Sequence, residues 1–369
     1  MKNNIIPGGF KDDVSSQVAT EHRFKNTIID CFQSSGFELV KTPLIEHYNA
    51  GTDKNVFKIL VNKNEKKLNI RDDITLQVAR LSQTRLSKKK NPLKLCYYGE
   101  VVRKKGTMLR PERQFLQVGA ETIGENNFLA DVEIMELAFS SLNLVGIKKI
   151  TIEISSRIFY DKFLNQNKNS KRKKEIQRLI KLKDLKGLLG IVNKKDHDYI
   201  NNLFSCTGIY QDKKNNLKSL GIDKSTSSEI LNIDNIITNF SYKKNVEIFL
   251  DLCEIDDKNY HSGVRFTIFA ENIRGEIARG GRYFIDGLNK KITATGFTCY
   301  MDSILRATSL KLAKKKIMVP FNLSKIKFKN LIKKEYSLVR NTTDIEITKK
   351  LAKEQNCQFY FAKNSIKRI

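Results

Sequence analysis

Four histidines, six scattered cysteines and no long apolar run leave several common chemistries without raw material in this 369-residue chain. Cys31, Cys96, Cys206, Cys253, Cys299 and Cys357 form no CxxC pair, so neither a zinc site nor a disulfide framework has the spacing it needs. Buried thiols are expected instead. His22, His47, His197 and His261 show no metal-ligand spacing, and no metal is expected. No GxSxG motif or Cys/His pairing occurs, so covalent catalysis lacks machinery. The Gly pair of ARGGRYF (Ala278 to Phe284) is neither GxGxxG nor a Walker sequence; a tight turn is the simpler reading, and no cofactor is expected. No stretch approaches the roughly 18 apolar residues of a membrane span. The opening MKNNIIPGGFKDD lacks the apolar segment of a signal peptide, so a reducing cytoplasm is expected and a membrane partner is not.

Acidic residues are also in deficit. The chain carries 40 Asp and Glu against 67 Lys and Arg, a net +27, which points to anionic partners such as nucleic acid, nucleotides or an acidic subunit. Much of the excess is Lys interleaved with Asn, as in NKNSKRKKE (Asn167 to Glu175), a pattern that a coding bias over solvated surface also produces. At 40% hydrophobic and 29% charged residues the chain should fold, and its length suits about two domains at roughly 150 residues each.

Apolar residues Val18, Phe24, Ile28, Ile29 and Phe32 recur at helical spacing, with Gly36 placed to end that helix. An extended segment, FELVKTPLIE (Phe37 to Glu46), follows, and Pro43 suits an edge or interface strand. LNIRDDITLQVARLSQTRL reads as a strand end, an Asp-rich cap and a helix; KLCYYGEVVR and RQFLQVGAETIG read as two strands joined by a basic loop. FLADVEIMELAFSSLNLVG reads as a helix ended by Gly146, and KKITIEIS as the next strand. From about 160 to 242 Lys, Asn and Leu dominate, Pro is absent, and an inserted helical module is expected. Strands, a Gly turn and a terminal helix return up to about residue 310, and the last fifty or so residues suit a small αβ appendage.

Three stretches offer site chemistry. The loop VRKKGTMLRPERQF places Arg103, Lys104, Lys105, Arg110 and Arg113 between two strands, where converging donors could grip a phosphate or carboxylate. A solvated basic hairpin has the same composition. RDDIT (Arg71 to Thr75) and QVGAE (Gln117 to Glu121) set acids and amides beside apolar strand residues, as a pocket for an ammonium group requires. A helix cap at Asp72 or Asp73 is the duller alternative.

In this order and spacing, PGGFKDD, GFELVKTPLIE, LNIRDDITLQVARL, PLKLCYYGEVVR, ERQFLQVGAETIG, DVEIMELA, ARGGRYF and ATGFTCYMD resemble the histidyl-tRNA synthetase-like class II family. Within it, LCYYGEVVR with ERQFLQVGAE looks most like the regulatory subunits of ATP phosphoribosyltransferase. The resemblance implies an α+β fold: a class II core over 1–312 with an antiparallel sheet flanked by helices, a helical insertion near 160–242, and a small αβ segment over 313–369. It implies dimerisation through the strand near Pro43. It also implies a histidine pocket, with Asp73 and Thr75 at the ammonium, Arg103 on the motif 2 arginine, Gln117 and Glu121 as further histidine contacts, and Tyr260 on an aromatic lid.

The reaction machinery of active synthetases is altered. Asp256 stands where their RGLDYYTG-type arginine falls, Asp302 and Ser303 replace the Glu-Arg of motif 3, and His261 replaces a second tyrosine. The tail is about half of an anticodon-binding domain. The implied function is a non-catalytic regulatory subunit, working with a short-form ATP phosphoribosyltransferase catalytic subunit in the first step of histidine biosynthesis and conferring feedback inhibition by histidine. The alternative is a divergent amino-acid-activating enzyme using Lys104, Lys105 and Arg110. Nucleic-acid binding through the Lys-rich insertion is a third, less favoured reading.

Overall fold

The structure, a computed structural model, describes residues 6–14, 16–47, 55–60, 66–165, 169–254, 261–286, 291–310, 315–342, 346–362 and 365–369. They fall into two compact units, Met1–Asp13 with Glu21–Leu310, and Lys311–Ile369 with Val14–Thr20.

Helix α1 (Ser16–Ser34) buries Phe24, Ile28, Ile29 and Phe32 of the stripe that its sequence spacing predicts, while Val18, a turn and a half earlier, stays exposed. Gly36, at φ +87°, ends it, because a left-handed residue after the last turn costs glycine little. The Phe37 amide then donates back to Phe32 O at 3.1 Å. Short strands β1 (Glu38–Val40), β2 (Ile45–His47), β3 (Phe57–Ile59) and β4 (Leu68–Ile70) lead to helix α2 (Thr75–Gln83). Next come the long hairpin β5 (Leu93–Val102) and β6 (Gln114–Ile123), helix α3 (Phe128–Leu144) and strand β7 (Ile150–Ser156).

The insertion is helical as expected: α4 (Ile158–Asn165), α5 (Ser170–Lys181), α6 (Leu185–Ile191), α7 (His197–Ser205), α8 (Tyr210–Lys218) and α9 (Lys224–Asn239), interrupted by the two-residue strand β8 (Gly208–Ile209). Strands β9 (Glu247–Leu250), β10 (His261–Ala270), β11 (Glu276–Asp286) and β12 (Lys291–Tyr300) and helix α10 (Met301–Ala307) complete the first unit. Its main sheet runs β1-β5-β6-β12-β11-β10-β7-β9-β8. All neighbours are antiparallel except β1 with β5 and β7 with β9. Helix α3 packs against β6, β11 and β12, and Phe32 of α1 meets Phe297 edge-on at 5.4 Å, so one face is apolar. Helices α2 and α10 border the other face.

Two local expectations need correction. The extended segment around Pro43 is not one strand: residues 41–44 are irregular, and β1 and β2 join different sheets. Pro43 has no amide to give to a ladder. The carbonyls there are taken by side chains, Arg71 donating to Thr42 O at 3.0 Å and Gln77 to Pro43 O at 3.0 Å. The Gly pair of ARGGRYF is not a tight turn but lies inside β11, where a Cβ on Gly280 would come within 2.4 Å of Gly296 O. Those glycines serve close strand packing.

In the second unit, β13 (Lys316–Pro320), α11 (Lys325–Lys333), β14 (Ser337–Asn341), α12 (Lys349–Glu354), β15 (Phe359–Ala362) and β16 (Ser365–Arg368) form a sheet in the order β14-β13-β15-β16. Ile317, Val319 and Leu331 form one small core, and Met318, Ala352 and Cys357 another. Alternate residues of β13 thus serve opposite faces.

Candidate functional site

Strand register gathers the site. Gly119 of β6 pairs with Tyr97 on β5 and Thr298 on β12, and Glu121 pairs with Leu95 and Gly296. Alternate positions share a face. Gln117 and Glu121 therefore look out on the same side as Tyr97, Thr298 and, one strand further, Arg279 and Tyr283. Two glycines make the room: a Cβ on Gly296 would lie 1.8 Å from Glu121 Oε2, and one on Gly119 would lie 2.4 Å from the Tyr97 hydroxyl.

Tyr97 is the hub. Its hydroxyl lies 2.7 Å from Thr298 Oγ1 and 3.1 Å from Thr75 Oγ1, and it donates to Glu121 Oε1 at 3.3 Å. Tyr283 donates to Glu121 Oε2 at 2.9 Å. Both oxygens of this carboxyl group, which is 1% exposed, are thus satisfied by neutral hydroxyls rather than by a cation. Burial pushes Glu121 up to about 8, against the opposing pull of hydrogen bonds from Tyr283, Thr75 and Tyr97; the charge of Asp73 raises it further. At neutral pH the group is mostly protonated, so it can donate as well as accept.

At the other end, Asp73 Oδ1 accepts from the Thr75 amide at 3.0 Å and Oδ2 from Gln117 Nε2 at 3.4 Å. The N-cap of α2 is Ile74, which makes no side-chain cap bond, so Asp73 closes the turn before the helix and is not the cap that the sequence offered. Arg103 directly follows β5, with its guanidinium 4.9 Å above the Phe115 ring. Burial lowers its pKa, but Tyr300, Asp73 and Asp72 outweigh that and hold it above the usual arginine value. Of the residues singled out in the sequence, Asp73, Thr75, Gln117 and Glu121 meet in one network with Arg103 beside it. Tyr260, and Asp256 with it, lie outside the described residues.

The five cations of the β5–β6 loop do not all converge: only Arg103 and Arg110 share a ring, lying 4.9 and 5.3 Å from the centre of Phe115. Arg110 turns inward, its guanidinium 3.7 Å over the Tyr300 ring and 3.4 Å from both Glu276 and Asp302. Arg113 donates to Gly8 O at 2.8 Å and stacks on Phe10 and Phe57. Lys104 and Lys105 remain exposed. The motif-like spacing thus yields two structural arginines, because aromatic rings and acids under the hairpin hold them more closely than water does.

Tyr97, Thr298 and Tyr283 were not singled out from the sequence. In LCYYGEVV and GGRYF the tyrosines sit where strand alternation assigns core residues, and they are indeed buried. Contacts between distant strands, Tyr97 with Thr298 across 201 residues and Tyr283 with Glu121, reveal their polar role. Among the described residues no group of His, Cys, Asp and Glu gathers to hold a metal, and no helix is long and apolar enough to cross a membrane.

Comparison with known proteins places this geometry. The histidyl-tRNA synthetase family model matches residues 9–304. An ATP phosphoribosyltransferase regulatory subunit from Rhodospirillum centenum is 30% identical over 86% of this chain and 83% of its own length, and one from Paramagnetospirillum magneticum is 28% identical over 86% and 85%. Among solved structures, an ATP phosphoribosyltransferase regulatory subunit/histidyl-tRNA synthetase from Bacillus halodurans superposes with a TM-score of 0.81 at 21% identity, covering 98% of both chains. A chain of the ATP phosphoribosyl transferase (HisG:HisZ) complex from Thermotoga maritima gives a TM-score of 0.60 at 20% identity, covering 76% of this chain and 97% of that one. This chain belongs to the ATP phosphoribosyltransferase regulatory subunits, built on the class II fold of the histidyl-tRNA synthetase family.

Proposed function

We propose that this chain is a non-catalytic sensor: it associates with a short-form ATP phosphoribosyltransferase catalytic subunit, is needed for that subunit's full activity, and transmits feedback inhibition by histidine. Histidine would place its ammonium toward Asp73, Thr75 and Gln117, its imidazole toward Glu121, and its carboxylate toward Arg103, with Tyr260 as lid. A protonated Glu121 suits a neutral imidazole, to which it can donate or from which it can accept. The name of the Thermotoga maritima complex supports the pairing with a catalytic chain. Exposed Leu39, Leu44 and Ile45 around Pro43 support a dimer contact there.

The observation that carries the non-catalytic reading is Arg110. An amino-acid-activating enzyme must present arginines to a triphosphate, yet this side chain is 6% exposed and already shares two carboxylates. Asp302, at the motif 3 position, is one of the two. The Lys104 and Lys105 ammoniums are left as substitutes, without the planar fork that grips phosphate in two places.

Two assays on the full chain test the proposal. Added to the catalytic subunit from the same genome, the chain should co-elute with it and raise its rate. Alone, it should support no histidine-dependent exchange between ATP and pyrophosphate. Robust exchange would establish the enzyme reading instead.

A further inference from the structure

A second cluster of charge lies on the same face of the main sheet, beyond Thr298. Register places Arg279 of β11 between Thr298 of β12 and Thr267 of β10, with Glu153 of β7 next in the row. The polar face therefore runs unbroken from Tyr97 to Glu153. Arg279 Nη2 is 3.4 Å from Glu254 Oε1, and Arg265 Nη2 is 3.8 Å from the same oxygen. Two guanidiniums thus share one carboxylate, both at distances longer than the about 2.7 to 2.9 Å of a tight charge-assisted bond.

The two arginines are not equivalent. Arg265 is 5% exposed in its side chain and is held by Ser155 Oγ at 3.0 Å and by Glu254 O at 3.0 Å. Arg279 and Glu254 are 28% and 30% exposed, so their contact meets solvent and can open without stranding a buried charge. Two other acids among the described residues are engaged or weakly charged. Asp251 pairs with Lys183, and burial, with Asp251 and Glu254 adding to it, pushes Glu153 up to about 7.

We infer that Arg279 is an anion-binding residue of the site, masked by Glu254 while the site is empty, and that it takes the carboxylate of the bound amino acid. This rests on the histidine pocket proposed above. Cross-strand neighbours lie about 5 Å apart, so a guanidinium released from Glu254 can swing on its long stem to the space over Thr298, the residue that touches Tyr97. An incoming carboxylate then exchanges for that of Glu254, and local charge is conserved. Arg103, given the carboxylate above, already has Asp72, Asp73 and Tyr300 around it, so Arg279 shares that carboxylate with it. Arg279 thereby adds a second cation on the far side of the pocket.

Titration calorimetry of the full chain with L-histidine and with L-histidinol, which keeps the ammonium and imidazole but lacks the carboxylate, tests this. Arg279→Ala should weaken histidine at least ten-fold and histidinol less than two-fold. Glu254→Gln, which removes one carboxylate that competes for Arg279, should tighten histidine several-fold and leave histidinol unchanged; its opposite sign separates the inference from a general loss of folding. Equal weakening of both ligands by Arg279→Ala, or no weakening of either, overturns it, as does weaker histidine binding in Glu254→Gln. A wild-type chain that binds no histidine overturns the pocket reading first and this inference with it.

Discussion

Glu121→Gln should change how the stability of this protein depends on pH. The carboxyl group sits with no cation in its first contacts, and burial pushes it from the ordinary 4.5 up to about 8. Folding therefore favours its protonated form. That contribution is fully present below the unfolded value near 4.5 and is lost as pH rises through the folded value near 8. At about 1.4 kcal/mol per pKa unit, the loss across the window is on the order of 5 kcal/mol. Glutamine keeps an acceptor for Tyr283 and cannot ionise, so the variant should lack this slope. Glu153, pushed up to about 7 mainly by burial, titrates in both proteins and cancels in the difference. Urea unfolding from pH 4.5 to 9 would be measured for both. The wild type should lose stability relative to the variant by several kcal/mol between pH 5 and 8.5, and the difference should level off beyond. Parallel curves would show that Glu121 is ionised in the fold and that the neutral-carboxyl account of the pocket is mistaken.

Asp73→Ala removes a charge-assisted bond to the ligand ammonium worth about 1.5 to 3 kcal/mol, and should weaken histidine by roughly ten- to a hundred-fold in calorimetry. Gly296→Ala drives a methyl group into Glu121 and within 2.6 Å of Ala120 O; it should cost about 2 kcal/mol in denaturant unfolding and weaken histidine more than ten-fold. Arg110→Met leaves Asp302 with the more exposed Arg306 as its remaining cation and should destabilise the chain by about 2 kcal/mol. If it leaves stability unchanged, the guanidinium is not the strut described above.

What could be read from the chain alone follows the range of each signal. Helix α1 and its Gly36 stop, helix α3 and the β5–β6 hairpin rest on local periodicity and on glycine after a helix, and the structure has them where they were expected. Asp73, Thr75, Gln117 and Glu121 were found because short motifs carry them. Tyr97, Thr298 and Tyr283 were not, since their partners come from distant strands and their spacing is that of core residues. ARGGRYF misled because glycine pairs signal turns when only local geometry is weighed. Here the demand comes from neighbouring strands, with Gly280 against Gly296 O and Phe266. The five-cation loop misled in the same way, as its ring and acid partners lie on β3, β6, β11, β12 and α10 and at Phe10.

The most direct measurement joins the pocket to the proposed regulation. The catalytic subunit would be assayed with the wild-type chain and with Glu121→Gln and Asp73→Ala, each across a histidine titration. Activation by all three chains is expected, with inhibition by histidine shifted at least ten-fold to higher concentration for Asp73→Ala and altered in its pH dependence for Glu121→Gln. If both variants activate and the histidine response stays that of the wild type, histidine is sensed elsewhere and the account of this pocket is contradicted.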